Sequence, residues 1–118
     1  LENFDRVGDA NWRSEDGAIV ADKGKGGFLV TKNSYKDFEI RAEFWAATTT
    51  NSGIFIRISD PKKITADDSY EVNIYDQRPD PSYGTGAVVN LIGDCSRMLE
   101  KPPNGFEFTR RPIDSPSR

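Results

Sequence analysis

Apolar and polar residues alternate along three consecutive runs in the middle of the chain, residues 37–45, 53–58 and 69–76. Because a period of two places successive side chains on opposite faces of an extended strand, each run predicts a half-buried β-strand. The isoleucines of the second run also favour extended structure. In the third run, the core-facing positions are Tyr70, Val72 and Ile74.

The opposite face of these strands carries a mixture of charged, amide and aromatic side chains, if the three strands are neighbours in one sheet. Its members are Glu39, Arg41, Glu43, Trp45, Phe55, Arg57, Glu71, Asn73 and Tyr75. Stacking rings and bidentate hydrogen-bonding groups are typical of a sugar-binding surface. A plain sheet surface is the alternative, because cross-strand charge pairs and aromatic neighbours stabilise any antiparallel sheet by roughly 0.2–1 kcal/mol each.

Shorter strand signals precede and follow the central runs. Asp16-Gly17 separates two short runs and predicts a β-hairpin, because a type I′ turn needs positive φ at both central positions. Residues 28–31 and 87–92 each predict a further strand. The glycine-rich segment 22–27 lacks the ending of a phosphate-binding loop and predicts a turn. Several short strands without an amphipathic helix predict an all-β sandwich or barrel.

The length of 118 residues fits a single β-sandwich domain, residues 1–118, with a lead-in at 1–10 and a polar, mobile tail at 111–118. Sixteen basic and nineteen acidic side chains give a net charge of −3 without a long block of either sign. We therefore expect no nucleic-acid partner. The longest apolar runs are far shorter than the roughly 20 residues that cross a bilayer, so we expect no membrane span.

Missing residue types restrict the available chemistry. The chain has no histidine, which excludes a Ser-His-Asp triad and any metal site that depends on imidazole. The single cysteine, Cys95, has no CxxC partner for a disulfide, a metal site or an activated nucleophile. Acid–base work must therefore fall to carboxylates, lysine or tyrosine, and we expect no metal and no other cofactor.

Short motifs in a fixed order carry a resemblance to a known family. They are Trp12 with Glu15-Asp16-Gly17, then GFLVT at 27–31, YKDFEIRAEF at 35–44, NSGIFIR at 51–57, YEVNIYD at 70–76 and TGA at 85–87. In this order the chain resembles the 3-keto-disaccharide hydrolase family, long known as the DUF1080 domain. The resemblance implies an antiparallel jelly-roll β-sandwich related to concanavalin-like lectins and glucanases, a carbohydrate as partner, and export to the bacterial periplasm or cell surface.

The chain departs from the family pattern in its last quarter. Members usually continue with a lysine-proline and tryptophan-asparagine segment and further strands, whereas here no tryptophan follows Lys101-Pro102-Pro103. From this departure we expect a sandwich that is incomplete at its C-terminal end. Because unpaired strand edges and an uncovered core face must be hidden, we expect self-association into a homodimer or a larger assembly.

The resemblance implies chemistry on a 3-keto sugar, whose carbonyl acidifies the neighbouring C–H bond. Proton abstraction, enolate formation and loss of the group at C1 need a carboxylate base, a cation and a proton donor. We assign the base to Glu43 or Glu71, the enolate cation to Arg57, the donor to Tyr75, and sugar binding to Arg41, Trp45 and Asn73. Ordinary glycoside hydrolysis by Glu43 and Glu71 stays open and needs carboxylates about 5–9.5 Å apart.

Three function classes remain open from the sequence. The first is a hydrolase or lyase of 3-keto sugars, and the second is a non-catalytic carbohydrate-binding module that uses the same face. Missing strands favour the second class, because an unwalled site does not exclude water. The third class is a scaffold or assembly protein in which Glu43, Arg57 and Glu71 form only a paired charge cluster.

Overall fold

The computed structural model describes residues 1–80, 83–89 and 106–110, the last range for its backbone only. The described residues form eight β-strands and no α-helix. The strands are β1 Phe4–Gly8, β2 Arg13–Glu15, β3 Ala18–Val20, β4 Gly27–Thr31, β5 Ile40–Phe44, β6 Ser52–Ile56, β7 Tyr70–Ile74 and β8 Phe106–Arg110. The predicted all-β class with antiparallel strands is confirmed, and the strands are consistent with a β-sandwich. The jelly-roll topology and the single domain stay predictions.

The described residues divide into two compact units, Leu1–Asp37 and the described residues from Phe38 onward. In the first unit, β1 pairs with β4 antiparallel, from Phe4↔Thr31 to Gly8↔Gly27. The sequence does not reveal β1, because its half-buried apolar residues lie three positions apart and do not alternate. The predicted lead-in at residues 1–10 thus contains a strand, and β4 supplies the hydrogen-bonding partner of β1.

The hairpin of β2 and β3 turns at Asp16-Gly17. Glu15 pairs with Ala18, so the loop contains only the two predicted residues. Asp16 has φ 50° and Gly17 has φ 76°. Both central positions thus adopt the positive φ that a type I′ turn needs, and the predicted hairpin is confirmed.

The glycine-rich segment 22–27 is held by side chains of the chain that precedes β2. Asn11 Oδ1 accepts two of its backbone N–H groups at 2.9 Å each, and Asp9 Oδ1 accepts two more at 2.9 and 3.2 Å. A Cβ at Gly24 would lie 2.7 Å from the Asp9 carbonyl oxygen. The segment is a turn, as predicted, and its backbone donors are used internally rather than offered to a phosphate.

An ion pair joins this turn to β2. Arg13 Nη1 and Nη2 donate to the two carboxylate oxygens of Asp22 at 3.2 and 3.1 Å. Asn11 Nδ2 donates to Asp22 Oδ1 at 2.6 Å. The hydrogen bond from Arg13, followed by that from Asn11, lowers the pKa of Asp22 to about 2.

In the second unit, β6 pairs with β7 antiparallel, from Ser52↔Ile74 to Ile56↔Tyr70. β5 pairs with β8 in parallel, from Ile40↔Phe106 to Phe44↔Arg110. The expectation that all three central strands are neighbours is therefore correct for β6 and β7, whereas β5 pairs with β8 instead of either of them. Alternation determines which face of a strand is buried, but not which strand lies beside it.

Residues 86–89 line the second edge of β7. The backbone N–H of Asn73 donates to Ala87 O at 2.9 Å, and that of Val89 donates to Glu71 O at 2.9 Å. Val72 and Val88 form the antiparallel bridge between the two segments. β7 therefore has hydrogen-bonded backbone on both edges. This bridge lies in the predicted strand 87–92, of which residues 90–92 lie outside the described residues.

The core of the second unit is small and aliphatic. Val72 and Val88 are buried, and Ile40 and Ile54 pack against them. These contacts confirm the apolar faces predicted for β5, β6 and the middle of β7. Tyr70 was expected in the core and is 48% exposed, because it begins β7 at the end of the ladder.

Several predicted features fall on residues outside the described ranges. Cys95, the Lys101-Pro102-Pro103 segment and the predicted mobile tail at 111–118 lie outside the described ranges. In the ranges that are described, no helix has the length and apolar character needed to cross a membrane.

Candidate functional site

Glu71, on β7, is the central carboxylate of the candidate site. It lies opposite Phe55 in the β6–β7 ladder, so the two side chains share one face. Glu71 is half-buried, and this burial raises its pKa, while the positive charge of Arg78 acts in the opposite direction with a smaller effect. Among the described residues, none donates a hydrogen bond to the Glu71 carboxylate, and no cation pairs with it within 4.0 Å.

The Glu71 carboxylate occupies space that exists because residue 53 is glycine. A Cβ at Gly53 would lie 2.5 Å from Glu71 Oε1 and 2.9 Å from its Cγ. The Glu71 side chain therefore lies against the backbone of β6. A glycine within a strand often marks such a close approach, and this was the sequence signal for the contact.

Arg78 and Tyr83 lie in the loop that follows β7. Arg78 Cζ lies 5.8 Å from the centroid of the Tyr83 ring, and both side chains are half-buried. Arg78 acts electrostatically on Glu71, yet the two groups form no ion pair within 4.0 Å. The site thus contains a carboxylate and a guanidinium that are not joined by an ion pair. Neither residue was predicted, because the segment was interpreted only as a proline- and glycine-rich loop.

Asn73 connects β7 to this loop. Its Nδ2 donates to Tyr83 O at 2.8 Å, and the residue is only 1% exposed. Asn73 was predicted on the non-core face of the sheet, and the loop covers it there. Its assignment to sugar binding stays a prediction.

Tyr75 and Thr85 close the loop at its two ends. The backbone N–H of Tyr75 donates to Thr85 Oγ1 at 3.0 Å, and Thr85 Oγ1 donates in turn to Asp76 Oδ1 at 2.5 Å. Tyr75 is half-buried and directly follows the last residue of β7. It therefore lies at the base of the loop that carries Arg78, and its role as proton donor stays a prediction.

The site residues predicted on or next to β5 belong to a different ladder. Arg41 and Glu43 are exposed, and Arg41 Nε pairs with Glu39 Oε1 at 2.8 Å. Trp45 follows β5 and is 38% exposed. Because β5 pairs with β8, strand pairing does not bring these three residues beside Glu71. The pairing of Glu43 with Glu71 as two catalytic carboxylates stays a prediction.

Arg57 directly follows β6 and has an unusual backbone conformation. Its φ of 56° lies in the left-handed region, where residues other than glycine are uncommon. Its guanidinium carbon lies 4.8 Å from the centroid of the Phe38 ring. The described structure thus places the Arg57 cation over an aromatic ring, and its role as enolate cation stays a prediction.

Comparison with known proteins gives one result that covers most of the chain. A family model described as "3-keto-alpha-glucoside-1,2-lyase-like domain" matches residues 1–110. Neither the curated proteins nor the solved structures give a significant match. The matched range includes Glu71 and every other site residue described above. In the described part of the chain, no three acidic or cysteine side chains are grouped closely enough to hold a metal ion.

Proposed function

The chain belongs to the 3-keto-alpha-glucoside-1,2-lyase-like domain family, and on this premise we propose that it binds a 3-keto sugar at Glu71 and eliminates the substituent at C1. The observation that carries the proposal is the half-buried Glu71 carboxylate, which no described residue satisfies with a hydrogen bond. A carboxylate in this state is more basic than a solvated one and is free to accept a proton.

The proposed reaction is an elimination through an enolate. Glu71 removes the proton from C2, and the C–H electron pair forms a C2–C3 double bond while negative charge develops on the C3 oxygen. When the enolate collapses, the C1–O bond breaks and a donor protonates the departing oxygen. The product has a C1–C2 double bond conjugated with the restored C3 carbonyl.

The other predicted residues take supporting roles in this proposal. Tyr75, which follows β7 closely, is the proposed donor to the leaving oxygen. Sugar binding is proposed for the exposed Trp45 and Arg41 and for Asn73. Glu43 is the alternative base, and Arg57 is the cation that the sequence favours for the enolate.

The proposal is tested with a chromogenic 3-keto-glucoside and with NMR analysis of the product. We expect Glu71→Gln to lower kcat by about 10²–10⁴-fold, which is the usual contribution of a general base. Glu43→Gln should lower it far less. Glu2→Gln is the matched control, because it removes an exposed carboxylate that precedes β1. Full activity in Glu71→Gln would contradict the assignment, and a product without the double bond would indicate hydrolysis instead.

A carbohydrate-binding module is the second candidate, and the exposed Trp45 favours it. Trp45 is 38% exposed, and an accessible indole offers a stacking platform for a sugar ring without any need for catalysis. Binding on a glycan array that disappears in Trp45→Ala and Glu71→Ala, without turnover of the 3-keto-glucoside, would favour this function. Binding that survives both substitutions would contradict it.

Self-association and the jelly-roll sandwich of residues 1–118 belong to the same proposal. Among the described strands, β6 is paired with β7 only, so one of its edges has no strand partner in the part of the chain that is described. An edge of this kind can pair with a second copy of the chain. Light scattering on the purified chain tests this, and a monomer over the whole concentration range would contradict it.

A further inference from the structure

We infer that Arg78 is the catalytic residue that stabilises the negative charge on the enolate oxygen of the substrate. Arg78 lies in the loop after β7 and belongs to none of the motifs from which the sequence analysis assigned the site. The inference rests on the proposed function, because it names the cation of that reaction. It replaces Arg57 in this role.

The first argument is that Arg78 and Glu71 carry opposite charges but form no ion pair with each other. Arg78 acts electrostatically on Glu71, yet no ion pair forms within 4.0 Å. A direct ion pair would stabilise the carboxylate and make it a poorer base. Because no ion pair with Glu71 occupies the guanidinium, it stays available to the C3 oxygen of a substrate whose C2 lies at the carboxylate.

The second argument is that Arg78 is held in place without being neutralised by Glu71. Its guanidinium lies against the Tyr83 ring, 5.8 Å from the centroid, and a ring attracts a cation without removing its charge. Tyr83 is fixed in turn by the hydrogen bond from buried Asn73. Since Asn73 lies two residues from Glu71 on β7, one strand positions both the base and the cation.

The third argument separates Arg78 from Arg57. Arg78 is the described cation whose charge lowers the pKa of Glu71, whereas Arg57 contributes no comparable effect. Arg57 instead lies 4.8 Å from the centroid of the Phe38 ring. The hydrogen bond from Asn73 to Tyr83 holds the Arg78 loop on the face of β7 that also carries Glu71, which is the side where the enolate would form.

The experiment compares Arg78→Gln with Arg57→Gln in the full chain, with Lys63→Gln as the control for loss of an exposed positive charge. With the chromogenic 3-keto-glucoside, we expect Arg78→Gln to lower kcat by about 10²–10³-fold, and to change KM much less, as loss of an oxyanion-stabilising group does. The acidic limb of the pH profile of kcat/KM should move to higher pH, because the cation that favours the ionised form of Glu71 has been removed. Arg57→Gln should show a smaller loss of kcat and no movement of that limb.

A titration of Glu71 by side-chain carbon NMR gives a readout that does not depend on turnover. The pKa of Glu71 should rise in Arg78→Gln and stay unchanged in Lys63→Gln. If Arg78→Gln does not fold, Arg78→Met gives the same comparison, because its apolar stem can keep the contact with Tyr83. Circular dichroism establishes folding in each case.

The outcomes distinguish this inference from the proposed function. If the wild-type chain cleaves the 3-keto-glucoside and Arg78→Gln keeps its kcat, the inference is wrong while the proposed function stands. The same conclusion follows if Arg57→Gln loses as much activity as Arg78→Gln. If the wild-type chain cleaves no 3-keto-glucoside, the proposed function fails and the inference fails with it.

Discussion

The contact between Gly53 and the Glu71 side chain leads to a quantitative prediction for Gly53→Ala. The new Cβ would lie 2.5 Å from Glu71 Oε1, 2.9 Å from its Cγ and 3.1 Å from its Cδ. Ordinary contact begins at 3.4 Å, so the carboxylate must move away from the β6 backbone. The atoms that must move belong to one flexible side chain, and the β6–β7 backbone pairing can remain as it is.

Two opposing terms set the size of the effect. Moving the Glu71 side chain off its preferred rotamer costs about 0.5–1.5 kcal/mol. Replacing glycine by alanine within a strand stabilises the folded state by roughly 0.5–1 kcal/mol. The free energy of unfolding of Gly53→Ala should therefore differ from that of the wild type by no more than about 1 kcal/mol. Glu71→Ala removes the three atoms nearest to the new methyl group, so in that background the same substitution should stabilise by about 0.5–1 kcal/mol.

The measurement is a double-mutant cycle by urea unfolding at neutral pH, followed by tryptophan fluorescence. We expect a coupling energy of about 0.5–1.5 kcal/mol between positions 53 and 71. Ser52→Ala, at the neighbouring position in β6, adds no atom near Glu71 and should have the same effect in both backgrounds. A Gly53→Ala effect that is equal with and without the Glu71 side chain would refute the contact. A downward shift of the Glu71 pKa in Gly53→Ala, as the carboxylate becomes more solvated, would support it.

Three further predictions concern stability. Burial raises the pKa of Glu71 above its unfolded value, so ionisation of Glu71 destabilises the fold as pH rises from the unfolded pKa through the folded pKa. Glu71→Gln should therefore raise the urea midpoint at pH 7 but not near pH 3. An equal change at both pH values would contradict this prediction. Asp22 has a folded pKa of about 2, so it contributes stability above its unfolded pKa and loses that contribution as pH falls towards 2. NMR titration of Asp22 should give this pKa, and Arg13→Gln should raise the pKa of Asp22. Asn73→Ala removes the hydrogen bond to the Tyr83 carbonyl and should cost about 1–3 kcal/mol in urea unfolding, whereas a neutral effect would show that the bond contributes nothing.

The sequence was informative where the interacting residues are close together in the chain. Asp16-Gly17 predicted its hairpin because the turn conformation depends on those two residues alone. Alternation also identified the apolar faces that meet at Val72. The pairing of β1 with β4 and of β5 with β8 could not be predicted, because both join segments that are far apart in sequence.

The site was only partly predictable for a related reason. Glu71 could be assigned because its position on β7 follows from a period of two. The burial of Asn73 depends on a loop that folds back over it, and no local pattern encodes that contact. Arg78 was missed because its importance depends on its place in space relative to Glu71, and loop residues give no periodic signal.

The pairing of β7 on both edges has a consequence for how the substrate range of this chain can be changed. Glu71 lies on a strand anchored by β6 on one side and by residues 86–89 on the other, so the backbone that carries the proposed base is fixed. Residues 77–80 belong to no strand ladder. Directed evolution can therefore randomise positions 77, 79 and 80 around a constant Arg78, and select for new leaving groups or sugar substituents without disturbing the base. The fold separates the strand that carries the proposed base from the loop that carries Arg78.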